Sequence, residues 1–224
     1  MFKLLFVMFT TLVISTVVYS IPTVEQNFIV ACHNLFRSDV ARGKGENSNG
    51  SLPEGANIKQ IFYDNDLEKI ARKWNCSGGN DEEFGENVYG YTGKPVEHVN
   101  VAIALTLGHR HLMSMSFANV LLKACIAWAD TCKYGVSEEL IYDSEHSRSG
   151  SCTQMIWAES FKIGCAYVDC PIYNYFVCKY SPKGNIPGEL IYQKGNLCTK
   201  CGYFGCSYGY GLCLVKNISE YPDD

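Results

Sequence analysis

The chain has 224 residues, a formal net charge of −4, 47% hydrophobic residues and 12 cysteines. Its lysines and arginines are scattered, so it has no electrostatic footprint for nucleic acid or another strongly anionic partner. An even number of cysteines reads as a disulfide framework made in an oxidising compartment.

Residues 1–20 read as a secretory signal peptide. Lys3 gives a positive start, "LLFVMFTTLVISTVV" is an apolar run of 15 residues, and Val18 and Ser20 are small residues ahead of a cleavage point. The run is short for a membrane span, and no later segment is apolar enough to be one. The rest suffices for one domain with a full core and a small appendage.

Residues 25–42 fit an amphipathic helix with Phe28, Cys32, Leu35, Phe36 and Val40 on one face. Residues 43–57 read as loop. Asp64 or Asn65 caps a second helix carrying Leu67, Ile70, Ala71 and Trp74, which "CSGGNDEEFGEN" breaks. Phe117, Val120, Leu121, Ala124, Cys125 and Trp128 form the continuous stripe of a third. Beyond residue 150, "TQMIW", "IGCAYV" and "YNYFVCKY" read as short strands, ended by "SPKGN". The polar pair Thr153-Gln154, opening an apolar run just after Ser151 and Cys152, raises the question of a reactive site. From about residue 189 the chain turns to Gly, Tyr and Cys, and "CTKCGYFGCSYGYGLC" cannot build a core of its own. Helices first, strands mostly later and a stapled tail indicate an α+β layered domain.

Other features have bland readings. His109 and His111 of "GHRH", with His98 and His146 elsewhere, have no acidic or thiol partner nearby in sequence and read as a polar loop before a helix. Cys198 and Cys201, with Cys206 and Cys213, have a zinc-like spacing, but a secreted chain favours disulfides. Tyr167, Tyr173, Tyr175 and Phe176 form an aromatic strand cluster that is either a partner surface or pleat packing. Sequons at Asn49, Asn75 and Asn217 permit N-glycosylation where exposed, and Asn49 lies in the clearest loop.

The segments "HNLFRSDVARGK", "FGENVY", "TQMIW", "YFVCKYSPKGNI" and "CTKC…C…C" occur in that order. Together they resemble the CAP superfamily of cysteine-rich secretory, antigen 5 and pathogenesis-related proteins, in its nematode venom-allergen-like form, over nearly all of residues 25–215. The resemblance implies a three-layer α-β-α sandwich with a central cleft over 21–188 and a disulfide-stapled hinge over 189–224. In many members two His and two Glu line the cleft and hold a divalent cation. Carried onto this chain, the four positions are Asn80, Glu86, Thr131 and Ser151, and only Glu86 keeps its type. One carboxylate does not hold zinc, so no metal or other cofactor is expected. Ser151 has no matched His to take its proton. Glu86 lacks an acid-base partner and reads as a first-turn or loop carboxylate accepting backbone hydrogen bonds.

The resemblance also implies the disulfides Cys76–Cys170 and Cys165–Cys178, and the interleaved pairs Cys198–Cys206 and Cys201–Cys213. Cys32, Cys125, Cys132 and Cys152 remain, with their pairing open. On one continuous helix Cys125 and Cys132 stand about 10 Å apart along the axis, too far to bridge. Cys132–Cys152 is preferred, because these residues adjoin Thr131 and Ser151 at the cleft. Cys32 and Cys125 then bridge the two helix faces or stay as buried thiols. In some family members such faces flank a lipid-holding groove; here core packing explains them equally well. The expected function is that of a secreted, non-catalytic protein that binds a sterol or fatty acid, or a host or extracellular protein, as an immunomodulatory product. The alternatives are a hydrolase using Glu86 and a channel-modulating toxin, the latter weakened because no further six-cysteine domain follows the tail.

Overall fold

A four-stranded sheet of order β3-β5-β6-β4 organises the molecule in the computed structural model, which describes residues 20–78, 81–92 and 120–215. In chain order the elements are α1 (Thr23–Ala41), a small hairpin of β1 (Glu46–Asn47) and β2 (Gly50–Ser51), β3 (Phe62–Tyr63), α2 (Asn65–Ala71), β4 (Gly85–Tyr91) and α3 (Val120–Ala129). A 3₁₀ helix at Asp130–Tyr134 and another at Ser144–Ser149 lead to α4 (Gly150–Ile156), β5 (Lys162–Asp169) and β6 (Asn174–Ser181). β6 is antiparallel to both β5 and β4, and β3 runs parallel to β5. Among the described residues, no helix is long and apolar enough to cross a membrane.

Alternation along the strands sends successive side chains to opposite layers. Ile163, Cys165, Phe176, Cys178 and Tyr180 join the main core with Phe28 and Ile29 of α1, Leu121, Ala124 and Trp128 of α3, and Met155 and Ile156 of α4. Ala166, Val168 and Val177 pack on the other side against Ala71 of α2. Gly164 makes that approach close enough, since a Cβ there would collide with the backbone of Asp64 and Leu67. The result is the α-β-α sandwich. Asp64 is the cap of α2, its carboxylate accepting the Asp66 and Leu67 amides at 2.9 and 3.0 Å.

Several elements depart from the sequence reading. The "TQMIW" segment is not a strand: Thr153–Ile156 belong to α4. A short apolar run cannot separate a buried helix from a buried strand, because periodicity needs a polar face to show itself. On α1, Leu35 is 55% exposed, whereas His33, Asn34, Arg37 and Ser38 are buried. The inward face therefore mixes these polar residues with Phe28, Ile29, Val40 and Ala41, and is rotated from the apolar stripe. α2 ends at Ala71, so Trp74 lies beyond it and packs on Tyr175 at 5.0 Å. Strand β4 precedes α3, so strands are not confined to the second half. Phe117, His98, His109 and His111, and the side chain of His146, lie outside the described residues.

Candidate functional site

Thr131 and the start of α4 meet where the helical layer crosses the sheet. The Thr131 hydroxyl donates to the Trp128 carbonyl at 2.7 Å and accepts the Cys152 amide at 2.9 Å. Next to this bond a disulfide joins Cys132 to Cys152, both buried. Ser151 contributes its carbonyl, which accepts from Asn87 Nδ2 at 3.0 Å. Asn87 Nδ2 also lies 3.2 Å from the Tyr180 hydroxyl, which is 2.9 Å from His33 Nε2. His33 Nδ1 stands 2.8 Å from the Ile29 carbonyl, which can only accept, so Nδ1 carries the proton and Nε2 accepts from Tyr180. Burial pushes the imidazole down to about 4, keeping it neutral near pH 7. The cleft position is thus a hydrogen-bonded joint.

Glu86 is not on a loop or in a helix turn. It sits on β4 beside Asn87, and because Asn87 faces the helices, strand alternation turns Glu86 to the opposite face. Its carboxylate accepts from Lys179 Nζ at 2.6 Å, and Lys179, only 5% exposed in its side chain, also reaches Asp81 at 2.6 Å. Lys179 and the backbone amides of Glu83 and Phe84 hold the Asp81 carboxyl below its usual range against the opposing effect of burial. Of the four carried-over positions, Thr131 and Ser151 come together, Glu86 points elsewhere, and Asn80 lies outside the described residues. Among the described residues, no three His, Cys, Asp or Glu side chains gather as a metal site. A hydroxyl already accepting an amide, a serine carbonyl and a lysine-paired carboxylate do not fit a zinc donor set.

The Thr-Gln pair is structural as well. Both residues are buried. The Thr153 hydroxyl lies 2.7 Å from Asn185 Oδ1, and Asn185 Nδ2 donates to the Gly150 carbonyl at 2.7 Å. Gln154 accepts the Gly184 amide at 3.2 Å and donates to Ser160 Oγ at 3.2 Å. A Cβ on Gly85 or Gly184 would overlap the Gln154 carboxamide. "TQMIW" and "SPKGN" are therefore two halves of one packed knot.

The sequence reading missed Arg37. It is fully buried and faces carbonyls instead of a carboxylate: Nε donates to Lys59 at 2.7 Å, Nη1 to Met155 at 2.8 Å and Nη2 to Ser160 at 2.9 Å. Burial pushes its ionisation down to about 9. Asn34 reciprocates with Ile61, donating to its carbonyl at 3.0 Å and accepting its amide at 2.8 Å. The available signal was the Asn34–Arg37–Ser38 spacing on one helical face, which an apolar-only stripe ignores.

The structure joins Cys32 to Cys125, Cys76 to Cys170 and Cys165 to Cys178. In the tail it joins Cys198 to Cys206 and Cys201 to Cys213. The helix α3 gives way to a 3₁₀ helix at Asp130, so Cys125 and Cys132 do not share one continuous α-helix. Phe176 is buried and stacks on Trp128 at 5.9 Å, whereas Tyr173 is half exposed, so the aromatic strand cluster is divided between core and surface.

Comparison with known proteins places this arrangement. The model of the CAP, or cysteine-rich secretory protein, family matches residues 30–180. This chain belongs to the CAP family. Venom allergen 5 of Dolichovespula arenaria is 33% identical to it over 182 residues, covering 79% of this chain and 84% of the allergen. The Ancylostoma secreted protein of Ancylostoma caninum is 28% identical, covering 85% of this chain, which spans 44% of that longer protein. The solved structure of NaASP2 with Zn2+ superposes with a TM-score of 0.68 at 29% identity, covering 87% of this chain and 97% of NaASP2. That of BmVAL-1 gives 0.69 at 27% identity, covering 88% and 97%. The protein is thus a venom-allergen-like CAP protein of the nematode type, and its disulfides agree with an extracellular one.

Proposed function

We propose that this CAP protein is secreted and acts by binding, without catalysis. The observation that carries the reading is the Thr131–Cys152 joint: its hydroxyl, amide and sulfurs are all engaged in holding the 3₁₀ helix after α3 to α4. Among the described residues, these joint atoms are not poised as a nucleophile or a metal ligand. Zinc, which accompanies NaASP2 in its structure, does not carry over to this donor set. The partner is a sterol or fatty acid, or a protein of a host or of the extracellular space, and the role is immunomodulatory. An exposed hinge surface supports a macromolecular partner: Tyr203 and Phe204 meet edge-on at 5.5 Å, and Tyr203 and Tyr208 stand almost wholly in solvent. Aromatic residues of this kind supply much of the energy at protein interfaces. The lipid reading is narrowed by the Cys32–Cys125 bridge, which holds α1 against α3 with Phe28, Ile29 and Leu121 spent in the core.

Native mass spectrometry of protein secreted from eukaryotic cells tests this. A lipid adduct or a co-purified extracellular protein, without a stoichiometric transition metal, is the expected result. A metal coordinated beside Glu86, or turnover in pure protein that Glu86→Gln abolishes, would overturn it and restore the hydrolase reading.

A further inference from the structure

We propose that the Ser20–Ile21 bond is the processing site of this protein, and that the Ile21 α-ammonium released there becomes a buried counter-ion of Glu68. The proposal rests on the secretory reading and adds to it a structural consequence of leader removal.

The geometry around Ile21 is that of a built site. Ile21 is 5% exposed and belongs to the main core, and Glu68 is 2% exposed. The backbone nitrogen of Ile21 donates to Glu68 Oε1 at 3.0 Å, across 47 residues of sequence. The carbonyl of Ile21 accepts from Gln26 Nε2 at 3.0 Å, and that amide also lies 3.4 Å from Glu68 Oε2. Tyr63 donates its hydroxyl to Glu68 Oε2 at 2.7 Å, and Arg72 pairs with Oε1. One nitrogen at the start of the fold is therefore aimed at a carboxylate buried in α2.

Residue order fits cleavage at this bond. Val18 and Ser20 are the small residues before it, Ser20 is exposed, and Pro22 stands one residue past the new terminus. Pro22 caps α1, and its carbonyl accepts the Glu25 and Gln26 amides at 2.9 and 3.0 Å, so the helix starts directly after Ile21. Hydrolysis of the Ser20–Ile21 peptide bond consumes one water. It leaves a carboxylate on Ser20 of the departing leader and an amine on Ile21, which takes up a proton near neutral pH. A neutral one-hydrogen amide donor at this nitrogen becomes a cation with three hydrogens, 3.0 Å from a carboxylate. A charge-assisted bond of that kind is stronger than the amide's, and a buried ion pair with further hydrogen bonds is the form in which buried charge is tolerated. The leader is thus needed for export and then removed in a way that completes the contact between α1 and α2.

The test uses the full chain, secreted from eukaryotic cells and purified. Intact mass and N-terminal sequencing are expected to give Ile21 as the first residue. Amine labelling with cyanate at pH 7 is then expected to modify the Ile21 amine at least tenfold more slowly in native protein than in urea. In Glu68→Gln, or in a chain engineered to begin one alanine ahead of Ile21, the terminal amine should lose most of that protection. The extended chain keeps every side chain, so it serves where Glu68→Gln does not fold. A mature terminus at any other residue overturns the proposal, as does an Ile21 amine labelled equally fast in native and unfolded protein. A chain that stays inside the cells with its leader attached overturns the secretory reading itself, which separates the two failures.

Discussion

In the α/β body, Arg37 and His33 lie wholly inside the protein, and each polar atom they present is matched by a carbonyl or a hydroxyl. In residues 198–213, Tyr203 and Tyr208 stand in solvent, and loops closed across 8 and 12 residues by two disulfides hold the chain instead. The body has enough apolar surface to bury charge and specify where it goes. The tail has only residues such as Leu212 and Cys213 to bury, and it leans on the body through the Cys213 amide to Ile58 and the Gln60 amide to Cys213, at 2.8 and 2.9 Å. The contrast teaches that covalent closure takes over where a segment is too small for a core. It also separates what each region depends on: buried side chains and their partners, with four disulfides, in the body, and its two disulfides with little core in the tail.

Removing the Arg37 fork should show the contrast most strongly. Arg37→Met leaves the Lys59, Met155 and Ser160 carbonyls buried without partners. It should cost about 3–5 kcal/mol by denaturant unfolding. Arg37→Lys should recover less than half, because an ammonium cannot reproduce the planar fork. A loss below about 1 kcal/mol would show that water replaces the clamp.

The body should also carry a proton dependence. Burial lowers His33 from 6.5 to about 4, so the unfolded chain takes up a proton that the native state refuses. The stabilisation is complete above pH 6.5 and is lost as pH falls through that value toward 4. At roughly 1.4 kcal/mol per pH unit the loss approaches about 3 kcal/mol. Comparing urea midpoints at pH 7 and pH 4.5 for wild type and His33→Gln isolates it. The variant should show the flatter profile, and parallel profiles would remove His33 as the cause.

The tail should respond to a different change. Cys201→Ala with Cys213→Ala should remove about 3 kcal/mol from the tail's own stability. Hydrogen exchange should speed at the Ser207, Gly211 and Leu214 amides, whose partners lie within the tail. The body's unfolding midpoint should shift little. An equal loss in both regions would mean that the two unfold as one unit.

The smallest effect belongs to the cleft joint. Thr131→Val removes the acceptor of the Cys152 amide while keeping the shape. A cost of about 1–2 kcal/mol is expected, with the Cys132–Cys152 bridge still formed by peptide mapping. A much larger loss would mean that the hydroxyl, and not the disulfide, holds the 3₁₀ helix after α3 to α4.

The sequence by itself determined the elements whose periodicity has a polar side to contrast with. α1, α2 and α3 have helical spacing, Asp64 is a cap by residue type, and β5 and β6 alternate in branched and aromatic residues. Its ordered motifs were also enough to point to the CAP family. It placed Thr131 and Ser151 beside each other only through that resemblance, and Glu86, carried to the same cleft by it, is paired with Lys179. Tertiary structure alone decided that Thr153–Ile156 is helical, since a run buried on all sides carries no period. It alone decided that α1 turns Arg37 and His33 inward and Leu35 outward. The carbonyls that make the burial of Arg37 favourable come from residues 22 to 123 positions away in sequence, out of reach of any local pattern.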